Sequence, residues 1–162
     1  MKDNKPLPIE LIEPGHLQGW YTTLPPSLND LYRPIHNPRV KHGPQTFMVM
    51  TKHAQKWMKT FMSSMAPYIA NIHLDPASIY RLNVVYFSAQ FLRKRIGKKD
   101  GYEERVRRID KSNLVKLAED CISELTGVDD SHFWRGEIIK HAVPDSEPDS
   151  FYFELRRLPN PW

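Results

Sequence analysis

Ile79-Tyr80-Arg81-Leu82-Asn83-Val84-Val85-Tyr86 alternates in character along the chain. Tyr80, Leu82, Val84 and Tyr86 fall on one side and Arg81 and Asn83 on the other, the period of two that a half-buried strand requires. The pattern predicts a strand from Ile79 to about Leu92, running directly into a basic segment whose Gly97 and Gly101 predict a mobile loop. Beyond it, Leu114, Leu117, Ala118, Cys121, Ile122 and Leu125 recur at helical spacing from Ser112 to Leu125, with Thr126-Gly127 as the stop. Before it, Thr51 is a plausible N-cap, and Ala54, Trp57, Met58, Phe61, Met62 and Met65 form a second apolar stripe. Such a stripe reads as core, and Pro67 is expected to disrupt the helix near its end.

The rest of the chain is arranged around these elements. Gln18 to Leu24 reads as a first strand, stopped by Pro25-Pro26. From there to Met50 the sequence is rich in Pro, Asn, His and Gly and predicts a long functional loop. Trp134 to His141 and Phe151 to Leu158 predict a terminal antiparallel pair joined by a polar loop. The expected fold is α+β, a single domain with a small mixed or antiparallel sheet and two main helices in the order β-α-β-α-β-β. Residues 1–17 are expected to be an extended lead-in and 18–162 the folded domain.

With 162 residues, 40% hydrophobic and 26% charged, the chain is long enough to bury one core and too apolar to be wholly disordered. Its single cysteine, Cys121, lies in an apolar stripe and predicts a buried thiol in a reducing compartment. No apolar run approaches the ~20 residues of a membrane span or resembles a signal peptide, so a cytoplasmic protein without membrane contact is expected. The net charge of +4 is concentrated locally. Arg93, Lys94, Arg95, Lys98, Lys99, Arg105, Arg107 and Arg108 face three acids within residues 93–108, whereas the remainder carries 15 basic and 16 acidic residues. A local excess of this kind suits contact with phosphates, or a solvated loop that keeps the chain soluble.

The chemistry-bearing residues gather around the second helix. Asp110 precedes it, and Asn113, Lys116 and Asp120 fall within about 60° of one another on the side away from the apolar stripe. Asp129-Asp130 follow it. Hydrolysing a phosphodiester calls for hard cations held by carboxylate oxygens, and Asp110, Asp129 and Asp130 could supply them. Lys116 could offset the charge that grows on phosphate oxygens in the transition state. The same residues also have a structural reading, with Asp110 or Ser112 capping the helix, Lys116 paired to Asp120 at i+4, and Asp129-Asp130 in a turn. The seven histidines show no paired ligand spacing, which argues against a zinc site.

Taken together, Pro25-Pro26-Ser27-Leu28-Asn29 with Tyr32 and Arg33, then Asp110, Asn113 and Lys116, Asp120, and the pair Asp129-Asp130, resemble the RusA family of crossover junction endodeoxyribonucleases. The resemblance runs from about Leu24 to Leu158. It implies a Mg²⁺-dependent endonuclease, with Mn²⁺ as a substitute, that resolves four-way (Holliday) junctions by paired nicks in DNA recombination and repair. It also implies a homodimer. Asp110, Lys116 and Asp130 would be catalytic, with Asp110, Asp129 and Asp130 on the metal. Arg93, Lys94, Arg95, Arg107, Arg108, Asn113 and Lys140 would contact DNA. The family motif carries a second Asp where this chain has Ser112, a neutral and poorer Mg²⁺ ligand, which leaves Ser112 and Asp120 as outer supports. That departure keeps two other readings open, a catalytically weak junction-binding protein and a nuclease for other branched DNA. Asn29, Tyr32 and Arg33 fit either DNA positioning or loop shaping.

Overall fold

The computed structural model describes residues 8–36, 39, 46–96, 102–106 and 112–159, with the backbone alone at 28–29, 92–96, 102–106 and 112–114. In chain order the elements are β1 (Ile9–Glu13), β2 (His16–Tyr21), α1 (Leu28–Leu31), β3 (Tyr32–His36), β4 (Thr46–Met50), α2 (Lys52–Ile69), β5 (Tyr80–Phe87), β6 (Leu92–Ile96), β7 (Tyr102–Val106), α3 (Ser112–Thr126), β8 (Phe133–Arg135), β9 (Ile138–His141) and β10 (Ser150–Arg157). The result is a small α+β domain, a mixed sheet with two main helices.

The alternation in β5 does what its periodicity predicts, since Tyr80, Leu82, Val84 and Tyr86 are buried and the intervening residues half-buried. Among the described residues the main sheet runs β1-β2-β10-β5, and β8 and then β9 follow one another along the far edge of β5. β10 pairs antiparallel with both β2 and β5, whereas β8 and β9 pair parallel with β5. A parallel neighbour needs a crossover, and α3 lies within it.

The core fills the space between the helices and one sheet face. Trp57 and Phe61 of α2 stack at 5.2 Å, and Phe61 stacks on Phe151 of β10 at 5.7 Å. Tyr21 meets Phe61 edge-on at 5.0 Å, and Trp57 Nε1 donates to Thr23 Oγ1 at 3.0 Å, so the indole is buried without orphaning its N–H. Thr51 caps α2 as expected, accepting from the Ala54 N–H.

Several expectations need correction. Pro67 lies inside α2, which continues to Ile69. The missing N–H removes one bond in the last turns, and the burial of Met65 and Ile69 on either side of it holds the helix together. Within the long loop expected from Pro25-Pro26 to Met50, α1 and a two-stranded hairpin of β3 and β4 form instead. The exposed side of that hairpin carries no alternating pattern because none of the β3 residues is buried. Part of the basic segment expected as a loop is likewise a hairpin of β6 and β7; Gly97 and Gly101 lie outside the described residues. The first strand begins at His16, not Gln18, and ends at Tyr21, while Ile9–Glu13 of the expected lead-in pairs with it as β1.

The expected terminal pair is also different, because β9 and β10 lie on opposite edges of β5 and do not pair with each other. The Ala142–Asp149 connection passes around the end of β5, where the Ser88 N–H donates to His141 O, the Val143 N–H donates to Ser88 O, and Gln90 Nε2 donates to Asp149 Oδ2. Those bonds satisfy the backbone around Ser88, which is fully buried.

At Gly136 the chain steps from β8 to β9. The Glu137 carbonyl accepts from the Val84 N–H at 2.8 Å and the Glu137 N–H donates to Asn83 Oδ1 at 3.2 Å. A Cβ at Gly136 would overlap the Leu82 carbonyl oxygen, whereas one at Gly127, which has φ +70°, would meet nothing within 4 Å. Gly136→Ala should therefore cost at least about 2 kcal/mol, because a backbone oxygen cannot swing aside. Gly127→Ala should cost only about 1 kcal/mol of left-handed strain. Urea unfolding midpoints of the two variants check the ranking, and equal midpoints would remove the steric argument.

Candidate functional site

α3 presents two faces. Val115, Leu117, Ala118, Cys121 and Ile122 are buried, and the helix packs on α1 and α2. Burial pushes the Cys121 thiol up to about 12, so it is an inert core group. Lys116 and Asp120 lie on the opposite side, as the helical spacing predicts. The helix stops at Gly127, and fully buried Val128 anchors the chain as it turns into a short 3₁₀ segment, Asp130–His132.

This turn brings Asp130 back to the helix. Lys116 Nζ lies 2.7 Å from Asp120 Oδ1 and 3.1 Å from Asp130 Oδ2, bridging two carboxylates. Asp129 is the N-cap of the 3₁₀ segment, its Oδ1 accepting from the Ser131 N–H at 2.9 Å. The structural reading of these residues holds, since Lys116 is paired at i+4 and Asp129 is in a turn, and the pairing and the turn together assemble one cluster.

The electrostatics follow from the geometry. The Asp120 hydrogen bond, and then that of Asp130, hold the Lys116 ammonium well above its ordinary range despite some desolvation. Lys116 is therefore a fixed positive charge and not a proton acceptor. Hydrogen bonds from Ser131 hold the Asp129 carboxyl below the usual range. Half-buried Glu119 goes the other way, pushed up first by burial and then by the charges of Asp130 and Asp120, with Lys116 opposing. Sequence reading passed over Glu119. Its spacing of three residues from Lys116 is the signal that places it beside the cluster.

Of the remaining expected residues, Ser112 and Asn113 are in the first turn of α3. Lys140, on β9, has its Nζ 5.8 Å from the centroid of the Phe91 ring. Arg93, Lys94 and Arg95 lie on β6, where the register sets them opposite Arg105, Glu104 and Glu103 of β7. Asp110, Arg107 and Arg108 lie outside the described residues. Among the described residues, no three His, Cys, Asp or Glu side chains converge as a ligand set. Asp129 and Asp130 nevertheless each keep a second carboxylate oxygen beside the bonds above, on a side of the molecule where both are exposed. Adjacent, exposed, hard oxygen donors fit a hydrated divalent cation that keeps most of its waters.

No protein-family model matches the chain, and no curated protein matches it.

Because Glu119 has a raised folded value, its charged form opposes folding. Relative to the unfolded chain the group favours the native state below the usual carboxylate range, and that advantage is lost as pH rises through its folded value. Glu119→Gln should accordingly stabilise the protein at pH 7, with the gain shrinking as pH falls towards 4. Urea midpoints at the two values read this directly, and a loss of stability at pH 7 would contradict it.

Proposed function

We propose that this chain is a divalent-metal-dependent endonuclease for branched DNA, with the four-way junction as substrate. The observation that carries the reading is the Lys116 ammonium held between Asp120 and Asp130, next to Asp129. This is an acidic cluster with one permanently charged lysine, the combination that phosphodiester hydrolysis uses. The resemblance of the motif residues to the RusA family supports the same reading, and paired nicks in a symmetric junction make a two-fold homodimer the natural form.

Asp129 and Asp130, with Asp110, would hold Mg²⁺ or Mn²⁺. Held there, such a cation would supply Lewis acidity towards the phosphoryl oxygen and make water a better nucleophile. Lys116 provides a cation that remains protonated at any working pH and can lean from its carboxylates towards a phosphate oxygen as charge builds there. Asp120 is a positioning residue, since it keeps the Lys116 side chain on this side of α3 when Asp130 turns to another partner. The basic run from Arg93 to Arg108 attracts the DNA backbone, an effect that weakens as salt rises.

A synthetic four-way junction and a linear duplex, each with Mg²⁺, Mn²⁺ or EDTA, test the reading. Metal-dependent paired nicks in the junction alone are expected. Asp110→Asn and Asp130→Asn should abolish cleavage and leave junction binding intact, and Lys116→Ala should slow cleavage by roughly 100-fold with a smaller effect on affinity. Full cleavage by Asp130→Asn would exclude it from the metal shell.

A second reading, a junction-binding protein with little catalysis, is favoured by one observation, the neutral Ser112 where a carboxylate would be expected. Ser112→Asp adds a negative ligand on the first turn of α3. It should lower the half-saturating Mg²⁺ concentration of an active enzyme, and Mn²⁺ should support the natural chain better than Mg²⁺ because it tolerates a wider range of ligand geometries. If the natural chain is inactive and Ser112→Asp confers cleavage, the binding reading is correct. Unchanged metal dependence in an active enzyme would put residue 112 outside the shell.

A further inference from the structure

The main sheet has two faces, and only one belongs to the core. On the other lie Trp20 of β2, Tyr152 of β10, Val85 and Phe87 of β5, and Ile139 and His141 of β9, none of which is buried. Their rings form a strip across four strands. Trp20 and Tyr152 are 5.0 Å apart, Trp20 stacks on Phe87 at 5.5 Å, and Phe87 stacks on His141 at 5.4 Å. Trp20 and Ile139 are each 37% exposed. At about 4.8 Å between strands, the strip is roughly 14 Å wide.

Towards the other end of the same sheet the chemistry changes sign. Arg81, Arg156 and Arg157 line an open pocket of about 560 Å³ beside Pro14. Among the described residues, the ion pairs of Arg156 and Arg157 are long and exposed, 3.7 Å to Glu13 and 3.4 Å to Asp75. The Arg81 Nε is buried with no hydrogen-bond partner among the described residues, a donor that an incoming acceptor would satisfy. The acid between the two ends, Glu154, is already engaged by His16 Nε2 at 2.8 Å and Asn83 Nδ2 at 2.9 Å. Both of its carboxylate oxygens are thus occupied within the face. From Arg81 to Phe87 is six residues of strand, about 20 Å.

We propose that this open sheet face holds a short single-stranded DNA segment, with bases stacked on Trp20 and Tyr152 and phosphates at Arg81 and Arg156. Aromatic stacking beside a cationic track is how single strands are held without sequence preference. The complementarity of the arginine end to phosphate distinguishes this occupant from a second copy of the chain, whose same face would meet Arg81 and Arg156 with either its own arginines or its aromatic strip, neither of which carries negative charge. The inference rests on the nucleic-acid reading above but uses none of the residues of the Lys116 cluster.

The probe is a 15-nucleotide oligothymidylate carrying fluorescein, with binding read by anisotropy in EDTA so that no cleavage is involved. Trp20→Leu should weaken binding by about tenfold, within the range for loss of one base–aromatic stack. Arg81→Ala with Arg156→Ala should lower the slope of log K against log salt by about 0.7 for each phosphate released. On the natural protein, a 5-bromouracil oligonucleotide should photocrosslink to Trp20 or Tyr152, a readout that depends on no variant folding. Crosslinks confined to 93–108 with unchanged Trp20→Leu affinity would overturn the proposal, while junction binding by Asp130→Asn would leave the nuclease reading standing. Loss of self-association in Trp20→Leu at unchanged oligothymidylate affinity would assign the face to a second copy. If the natural protein binds neither oligothymidylate nor junction, both readings fail together.

Discussion

The central strand β5 needs partners on both edges and cover on one face, and most of the fold is the solution to that demand. β10 closes one edge over the whole length of the strand, from Arg157 opposite Tyr80 to Ser150 opposite Phe87. The other edge is closed in two pieces by β8 and β9, which keep one register across Gly136, where the chain comes very near the Leu82 carbonyl, while the ladder shifts earlier, between Tyr80 and Arg81. Bringing that second edge in parallel sets α3 between β5 and β8, which puts the polar side of α3 next to the turn that carries Asp129 and Asp130. The candidate site therefore sits where the crossover delivers it.

The cluster itself is modest in stability terms. Its ion pairs are exposed, with Lys116 at 45% and Asp130 at 44%, and pairs of that kind contribute at most about 1 kcal/mol. Their effect is to hold a cation and hard oxygen donors together at the surface, the arrangement on which the proposed nuclease reading rests.

What is legible in the sequence follows from burial. β5, α2 and α3 each bury one face, so the residues on it repeat with the period of the element, and Tyr80 to Tyr86, Ala54 to Met65 and Leu117 to Ile122 announce themselves. The β3–β4 hairpin has no such mark, since Tyr32–His36 is exposed throughout. The true neighbours of β9 and β10 are invisible for another reason. Two strands joined by a short polar loop normally pair, and nothing in Ala142–Asp149 says that it rounds the end of β5. The cluster was legible in part, because Lys116 and Asp120 share a helix face by spacing alone. Its closure by Asp130 depends on the angle at which the chain leaves Gly127, and the role of Glu119 depends on burial, neither of which a local pattern contains.

The position of β10 has a consequence for how the molecule comes into being. It is the last strand in order, yet it lies in the middle of the sheet, between β2 and β5, and Gln18 is bonded to Tyr152 across 134 residues. Contacts of such long sequence separation close slowly, because the entropy of the intervening chain must be overcome before they form. Until they do, the β1–β2 hairpin and β5 have no strand between them, and each offers a bare edge to other molecules. During synthesis this leaves a window in which the nascent chain is most exposed to aggregation, and it closes only when residues 150–157 arrive.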